Sequence, residues 1–397
     1  MLVGVPAETY PGEKRAALVP ASMAALKKAK LDVVVQAGLG LAAGYRDEAY
    51  AEAGAEVVAD RAELLRRADA LLRVRALGAD APGLDADLPS LRPGQVLIGT
   101  MDPLTAPEYA AKAAEAGVTA FALELLPRIT RAQSMDVLSS QANLAGYKAV
   151  LIAAERLGKV FPMMMTAAGT IAPSKVFVIG AGVAGLQAIA TARRLGAVVS
   201  AYDVRPAVKE QVESLGGRFV ELEIEAEDAQ AAGGYARAMG EEFYRKQAEL
   251  MTRVVAENDV VITTAAIPGQ RAPILVTRAM VEAMQPGSIV VDIAAERGGN
   301  CELTVAGETI DHNGVLVAGP LNLPSTVAFH ASQLYAKNIV TFLLHLAKDG
   351  ALQVDTADEI TRETLLTQGG QVVNARVREK LGLEPLPAPE PSEKAAQ

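Results

Sequence analysis

The sequence predicts an α/β protein with two doubly wound domains, each built on a mainly parallel sheet. Short apolar runs of strand length alternate with helical stretches, the alternation occurs in two blocks, and a long helical segment follows each block. Strands separated by helices form parallel sheets that helices cover. Because a long helix leads back from the second block, we expect a discontinuous first domain and long crossing helices that join the two domains.

The first block opens with the strand LVGVPAE, followed by a predicted helix over residues 20–30 and a predicted strand over residues 32–35. It continues through AELLRRADALLRVRA, QVLIGTM and APEYAAKAAEAGVTAFALELL. The second block runs from KVFVIGAG through VVSAYDV, RFVELEI, DVVITTA and SIVVDIA to VLVAGP. The long helical segments are SMDVLSSQANLAGYKAVLIAAERLG and SQLYAKNIVTFLLHLAKDG.

These patterns place the first domain at residues 1–136 plus 325–380 and the second domain at residues 137–324. The C-terminal segment LEPLPAPEPSEKAAQ is rich in proline and charge. Such a composition favours an extended chain without a packed core. We therefore expect residues 381–397 to form a flexible tail.

Composition narrows the class of protein. A formal charge of -9, from 38 basic and 47 acidic residues, argues against a nucleic-acid partner. The single cysteine, Cys301, excludes an internal disulfide and a cysteine-only zinc site, and it suits a reducing compartment. The N-terminal segment lacks a signal pattern, and no apolar run reaches the roughly 20 residues that a membrane helix needs. We expect a soluble cytoplasmic chain with no metal site and no direct membrane insertion.

The strongest motif is the glycine turn in SKVFVIGAGVAGLQAIATARRLGAVVSAYDVRP, which follows an apolar strand over residues 176–179. In a Rossmann-like unit, Gly180 allows the tight turn, Gly182 lets a pyrophosphate approach the backbone, and Gly185 permits close helix–strand packing. The N-terminus of the next helix offers unpaired N–H groups to phosphate. A glycine turn without nucleotide is disfavoured, because strand, helix and acid are all in place. The candidate cofactor-binding residues here are Gly180, Ala181, Gly182, Val183, Gly185, Asp203, Val204 and Arg205.

The acid Asp203 ends the second strand of this motif. A carboxylate there binds the ribose hydroxyls and repels a 2′-phosphate, which favours NAD(H) over NADP(H). Arg205 complicates that selectivity, because a nearby arginine tolerates a 2′-phosphate.

Two further segments, TTAAIPGQRAP and VDIAAERGGN, follow strands of the second block. Turns at the carboxyl ends of strands line the ligand crevice in such folds, but each segment is equally compatible with a simple connection. Between residues 221 and 251 the periodic pattern lapses. This stretch is either a lid whose Tyr235 and Met239 cover a ligand or a solvated insertion, and both interpretations stay open.

The segment PRITRAQSMDVLSSQANLAGY places Arg128, Arg131, Gln133 and Asp136 with several serines just before an apolar helix. Such a density of polar side chains indicates either solvent or a site. If it is a site, it holds no His, Cys or Lys before the helix that could carry a proton.

Taken together, these motifs resemble the NAD(H)-binding component of proton-translocating nicotinamide nucleotide transhydrogenase, in the form where that component is a separate soluble subunit. The resemblance runs from LVGVPAET to about Leu346. It includes GEKRAALVP, PRITRAQSMDVLSSQANLAGY, VIGAGVAGLQAIA, TTAAIPGQRAP, DIAAERGGNCE and ASQLYAKN. The PRITRAQS run discriminates, because the alanine dehydrogenases share the fold and most other motifs but not this run.

The resemblance implies direct, Re/Si-specific hydride transfer between NAD(H) bound to this chain and NADP(H) bound to a partner component, coupled to proton translocation. It implies a homodimer that associates with membrane-spanning subunits at the cytoplasmic face of the inner membrane. Gln133 would bridge towards the ribose of the other nucleotide. The implied residues beside the nicotinamide are Arg128, Gln133, Asp136 and Ser139, and the further implied cofactor contacts are Tyr235, Met239, Thr264, Ala265, Ala266, Pro268 and Asn322.

The chain departs from the alanine dehydrogenases where those relatives handle a keto acid and its proton. Arg75 stands at their lysine and Asp102 at their histidine, whereas Glu296 keeps their acidic residue and Arg15 their carboxylate-binding arginine. A dehydrogenase of this kind needs a positioned acid or base, because a proton moves with the hydride. Hydride exchange between two nicotinamides moves no proton at either ring.

The three histidines, His312, His330 and His345, lie in no obvious catalytic context. The missing proton carrier therefore weighs against the first alternative, a soluble NAD-dependent amino-acid dehydrogenase similar to alanine dehydrogenase. It does not exclude a second alternative, a module that binds NAD(H) without turnover.

Overall fold

In a computed structural model, the described residues are 1–221, 241–267 and 269–386, with the side chains of residues 241–244, 246 and 247 left out. The chain divides into two compact units. Unit 1 comprises Met1–Val137 and the described residues from Ser332 onward, and unit 2 comprises Leu138–Ala331. Each unit has one large, mainly parallel sheet with helices, which confirms the predicted α/β class.

The first 137 residues contain alternating strands and short helices. The strands are β1 (Leu2–Val5), β2 (Asp32–Gln36), β3 (Glu56–Val58), β4 (Ala70–Arg75), β5 (Val96–Thr100) and β6 (Thr119–Ala122). The helices are α1 (Met23–Lys28), α2 (Asp47–Glu52), α3 (Arg61–Arg67), α4 (Ala81–Asp87) and α5 (Glu108–Glu115).

The middle of the chain begins with the long helix α6 (Val137–Arg156) and ends with α11 (Ala328–Leu346). The strands between them are β7 (Met164–Thr166), β8 (Gly169–Ile171), β9 (Lys175–Ile179), β10 (Val198–Tyr202), β11 (Arg218–Phe219), β12 (Val260–Thr263), β13 (Ile289–Asp292), β14 (Thr309–His312) and β15 (Val315–Ala318). The helices are α7 (Val183–Arg194), α8 (Lys209–Ser214), α9 (Glu241–Ala256) and α10 (Arg278–Glu282).

The elements that follow α11 are β16 (Ala347–Lys348), β17 (Ala351–Leu352), α12 (Glu359–Thr364), β18 (Leu365–Gln368), β19 (Gln371–Val372) and α13 (Ala375–Lys380).

The sheet of unit 2 has the strand order β11-β10-β9-β12-β13-β15-β14, with only β14 antiparallel to its neighbour. The order reverses between β9 and β12, so the ligand crevice of such a sheet lies beyond the carboxyl ends of these two strands. Alternate residues of β9 enter two apolar clusters, Val176 and Val178 on one face and Phe177 and Ile179 on the other. Burial on both faces explains why this strand is apolar from Val176 to Ile179.

The sheet of unit 1 has the order β19-β18-β6-β5-β4-β1-β2-β3. The six strands from β6 to β3 are parallel, whereas β18 and β19 add an antiparallel edge from the C-terminal part of the chain. Tyr335, Ile339 and Phe342 of α11 share an apolar core with Val3 and Val5 of β1. The C-terminal segment therefore completes both the sheet and the core of unit 1.

Several predicted elements differ from the observed ones at their ends. The helix predicted over residues 20–30 starts as a 3-10 turn at Pro20–Ser22 and becomes α1 only at Met23–Lys28. It stops there because Lys30 takes a left-handed conformation with φ of 58°. The strand expected in RFVELEI is observed only as Arg218–Phe219, and residues 222–240 and 387–397 lie outside the described part.

Within the described ranges, no helix combines the length and the apolar character that crossing a bilayer requires.

Candidate functional site

The turn after β9 has the geometry that a dinucleotide site needs. Gly180 has a φ of 96°, and a Cβ there would lie 2.6 Å from the Thr264 hydroxyl oxygen. A Cβ on Gly185 would lie 1.8 Å from the carbonyl oxygen of Gly180, so the first turn of α7 packs directly on the glycine turn. Among the described residues, a Cβ on Gly182 would meet nothing within 4 Å. Two glycines are thus required by packing, while Gly182 leaves open the surface where a phosphate would approach.

The N-terminal end of α7 is positioned to receive an anion. Gly182, the N-cap of α7, makes no side-chain capping bond, so within the described part of the chain the first N–H groups of the helix are available to a phosphate. The end of the helix is fixed from the side by α6, because a Cβ on Gly146 would lie 2.0 Å from the carbonyl oxygen of Ala184. The residues present therefore fit a pyrophosphate at this position.

Asp203 lies beside the turn, as the motif predicts, but it is already engaged. Its carboxylate accepts hydrogen bonds from the Ala181 N–H at 2.7 Å and from the Arg205 backbone N–H at 2.9 Å. The Arg205 guanidinium donates from Nε and Nη2 at 2.8 Å each, and the Asp203 side chain is only 6 % exposed. These bonds to Asp203 raise the pKa of Arg205. A ribose would therefore have to share Asp203 with Arg205, which the sequence pattern did not indicate.

The other candidate cofactor contacts follow neighbouring parallel strands of unit 2. Thr264 follows β12 and donates its hydroxyl to the Gly180 carbonyl at 3.0 Å, and Ala266 is exposed two residues further on. Asn322 follows β15, has a left-handed φ of 47°, and donates its N–H to Glu296 at 2.5 Å.

The carboxyl ends of β9, β10, β12 and β15 lie at one edge of the sheet. This edge collects Gly180, Ala181, Gly182, Val183, Gly185, Asp203, Val204, Arg205, Thr264, Ala265, Ala266 and Asn322. Tyr235, Met239 and Pro268 lie outside the described residues.

The polar segment before α6 belongs mostly to unit 1. Its residues Thr130–Met135 form a 3-10 helix that buries Ala132 and Met135 and leaves Gln133 exposed. Arg128, two residues before this helix, is exposed as well. Asp136 is half-buried, and Ser139 lies half-buried in the first turn of α6, in unit 2.

Two contacts that sequence reasoning missed anchor this polar segment. Arg131 forms an ion pair with Asp358 at 2.6 Å. The amide of Asn338 donates to the Ser134 carbonyl at 2.9 Å. The Asn338 bond holds the backbone at Ser134, next to the exposed Gln133.

Arg15 and Arg75 of unit 1 share one buried carboxylate. Glu13 accepts from Arg15 at 2.6 Å and from Arg75 at 3.1 Å, and the Arg75 guanidinium stacks 4.4 Å from the centre of the Tyr10 ring. An arginine held in this way carries a fixed charge and moves no proton at ordinary pH.

A buried carboxyl group, Glu124, lies beneath the turn that carries Asp102. One oxygen of Glu124 accepts the backbone N–H groups of Met101 and Asp102, and Asp102 has a left-handed φ of 51°. Burial, assisted by the nearby Asp102 charge, raises the pKa of Glu124 to about 7. Sequence reasoning missed this group, because the pattern ELLP around it gives no sign that the side chain is buried.

Comparison with known families agrees with this geometry. The chain matches the family model described as alanine dehydrogenase/PNT, N-terminal domain, over residues 4–145, and the model described as alanine dehydrogenase/PNT, C-terminal domain, over residues 149–375. It is 46 % identical over 377 residues to the first of the polypeptides that make up NAD(P) transhydrogenase subunit alpha in Rhodospirillum rubrum, covering 94 % of this chain and 98 % of that protein.

A solved transhydrogenase structure from Sinorhizobium meliloti superposes with a TM-score of 0.84 at 50 % identity, covering 94 % of this chain and 100 % of that one. Alanine dehydrogenase of Bacillus subtilis is more distant, at 29 % identity over 405 aligned positions, with 100 % of this chain and 98 % of that protein covered. The chain therefore belongs to the alanine dehydrogenase/PNT family, and within it stands closer to these transhydrogenase alpha subunits than to the alanine dehydrogenase.

Proposed function

We propose that the protein is the NAD(H)-binding subunit of a proton-translocating transhydrogenase, which exchanges hydride directly with NADP(H) on a partner component. The observation that carries the proposal is the arrangement after β9, where Gly182 lies open at the uncapped N-terminus of α7 with Asp203 beside it. The likeness to the Rhodospirillum rubrum subunit, at 46 % identity over 94 % of this chain, supports it.

Each part of the site has a separate task in this proposal. The N–H groups at the start of α7 hold the pyrophosphate, and Asp203 selects the unphosphorylated ribose. The nicotinamide ring supplies the hydride exchange when the nucleotide is bound. Arg128, Gln133, Asp136 and Ser139 orient the reacting end, with Gln133 directed towards the second nucleotide. The subunit is catalytic only with its partner, because the second nicotinamide is held elsewhere.

The absence of His, Cys and Lys from the polar segment favours hydride exchange over amino-acid dehydrogenation. Residues 127–136 contain no His, Cys or Lys, and Arg75 is held by Glu13 and Tyr10 where a dehydrogenase has its lysine. An alanine dehydrogenase activity predicts NADH oxidation by this chain alone when pyruvate and ammonium are added. We expect none.

Assembly and location follow from the family likeness and remain part of the proposal. We propose a homodimer that associates with an NADP(H)-binding component and with membrane-spanning subunits at the cytoplasmic face of the inner membrane. The hairpin β7–β8 supports self-association, because Met163 is 61 % and Met165 78 % exposed beside the exposed Ile171. Sedimentation of the wild-type chain and of Met165→Lys tests it, and a monomeric wild-type chain would contradict the homodimer.

The domain assignment stays a proposal as well, with residues 137–324 forming the NAD(H)-binding domain. Limited proteolysis with and without NADH tests these bounds, because bound nucleotide should protect this domain more than the other.

The decisive experiment mixes the chain with an NADPH-loaded partner component and follows reduction of an NAD analogue. We expect transfer with the wild-type chain, and its absence with a competent partner would reject the proposed function. Stereospecifically deuterated NADPH in the same assay tests the Re/Si specificity.

The variant Gln133→Asn tests the reacting end. It should slow transfer sharply while NADH affinity stays within several-fold, because the proposed role of Gln133 lies between the two nucleotides. Gln371→Asn, the same change at an exposed residue of β19, is the matched control and should alter neither quantity. Equal loss of transfer and affinity in Gln133→Asn would show that Gln133 only binds NADH.

A further inference from the structure

Asn300 is a fully buried amide that joins both ends of the loop after β12. Its Oδ1 accepts the Ala265 N–H at 3.0 Å, and its Nδ2 donates to the carbonyl oxygens of Ala265 and Pro273, each at 2.8 Å. Asn300 itself is 0 % exposed. One side chain therefore satisfies both backbone groups of Ala265 and ties them to a residue at the far end of the same loop.

Asn300 is in turn fixed by Asp292 at the end of β13. The Asp292 carboxylate accepts the N–H groups of Asn300 at 2.7 Å and Cys301 at 3.0 Å, and it accepts the Thr263 hydroxyl at 2.9 Å. The chain reaches this position through Gly299, where a Cβ would lie 2.7 Å from Asp292 Oδ2. The turn is thus shaped around the carboxylate, and the amide of Asn300 has little freedom to move.

The loop that Asn300 holds packs against the glycine turn. Thr264, the residue before Ala265, donates its hydroxyl to the Gly180 carbonyl at 3.0 Å. The Ala265 nitrogen would lie 3.4 Å from a Cβ on Gly180. Displacement of Ala265 would therefore change the spacing between the two strand ends that flank the crevice.

We propose that Asn300 is a positioning residue that sets the loop after β12 for the nicotinamide half of the bound nucleotide. The inference rests on the proposed function, because it assumes that NAD(H) binds at this edge of the sheet. In a doubly wound sheet the two halves of a dinucleotide lie on opposite sides of the point where the strand order reverses. Here β9 and β10 serve the adenosine half and β12 begins the other half.

The residue type matters because the position needs both a donor and an acceptor. Aspartate keeps the acceptor for the Ala265 N–H but loses both donors and places a charge beside two carbonyl oxygens. Alanine removes all three bonds and takes the partner away from both backbone groups of the half-buried Ala265, which releases the start of the loop from the fixed turn. Serine keeps a single donor and acceptor on a shorter side chain.

The experiment compares binding of NADH and of 5′-AMP to the full chain for wild type, Asn300→Ala and Asn300→Ser. AMP occupies only the adenosine half, so its binding should respond to the loop after β12 much less than the binding of NADH does. We expect Asn300→Ala to raise the dissociation constant for NADH about tenfold, Asn300→Ser to raise it less, and neither to change the constant for AMP more than about twofold.

Asn258→Ala is the matched control, because Asn258 is also buried in unit 2 but its side-chain amide donates to the Val254 carbonyl in the preceding helix, before the amino end of β12. This control should change neither dissociation constant. Equal loss of NADH and AMP binding in the Asn300 variants, or no loss of either, would overturn the positioning role. A wild-type chain that binds neither nucleotide would instead reject the proposed function itself. If Asn300→Ala does not fold, Asn300→Ser decides the question by the same comparison.

Discussion

Glu124 should make unit 1 lose stability as the pH rises. Its carboxyl group has a pKa raised from 4.5 to about 7, because burial disfavours the charged form and the Asp102 charge adds to the effect. An acid whose pKa is higher in the folded state binds more protons when folded than when unfolded. Folding is therefore favoured by protonation, and this contribution is lost as the pH rises from about 4.5 to about 7.

The magnitude follows from the size of the shift. A shift of one pKa unit corresponds to about 1.4 kcal/mol, so ionisation of Glu124 costs at most about 3 kcal/mol above pH 7. Glu124→Gln removes the ionisation but keeps an oxygen for the N–H groups of Met101 and Asp102. The variant should gain stability relative to wild type as the pH rises, with most of the gain between about pH 4.5 and about pH 7.

The assay is urea unfolding at pH 5, 6, 7 and 8, with the difference in unfolding free energy between variant and wild type plotted against pH. Glu115→Gln, the same change at an exposed residue of α5, is the matched control and should give no pH-dependent difference of this size. Parallel curves for Glu124→Gln and wild type across this range would refute the assignment of a raised pKa to Glu124.

Further predictions concern the glycine turn, its acid and the core of unit 1. Gly185→Ala should lower both the melting temperature and NADH affinity, because the added Cβ would overlap the Gly180 carbonyl. Gly182→Ala should leave the melting temperature unchanged and weaken only NADH binding, because its Cβ would occupy the open surface that a phosphate approaches. Arg205→Ala should raise the preference for NADH over NADPH several-fold in direct binding, because it removes the positive charge beside Asp203, and an unchanged ratio would contradict this. Arg73→Met should destabilise the protein by about 3–5 kcal/mol in urea unfolding, since it removes the cation that pairs with the buried Asp80 carboxylate, whereas Asp87 keeps its ion pair with Arg61, and a loss below about 1 kcal/mol would contradict this.

The sequence predicted the alternation of strands and helices and the shape of the glycine turn, because both depend on local patterns. Gly180 needs a left-handed backbone and Gly185 a close contact, and each requirement falls within one strand–turn–helix unit. The role of this turn in binding NAD(H) stays a prediction. The start of α1 was placed too early, because Pro20 favours a tight turn as well as a helix start.

The contacts that shape the site could not be predicted, because they join distant parts of the chain or depend on side-chain direction. Asn300 and Ala265 are separated by 35 positions, and nothing in the run GGN distinguishes a buried amide from an exposed one. Arg205 is only two residues from Asp203, yet the pattern does not show that its guanidinium turns back onto the carboxylate. Glu124 was missed for a related reason, since its burial depends on β5 and the turn after it.

The antiparallel edge of unit 1 has a consequence for synthesis of the protein. Unit 2 is a single stretch of chain, Leu138–Ala331, which can fold as soon as it leaves the ribosome. Unit 1 starts earlier, but β6 lacks its antiparallel neighbour β18 until Leu365–Gln368 has been made, and the core of unit 1 lacks Phe342 until α11 emerges. During that interval an apolar sheet with an unpaired edge is exposed, which is the state most prone to aggregation. Unit 1, whose synthesis begins first, is thus the unit that completes its folding last.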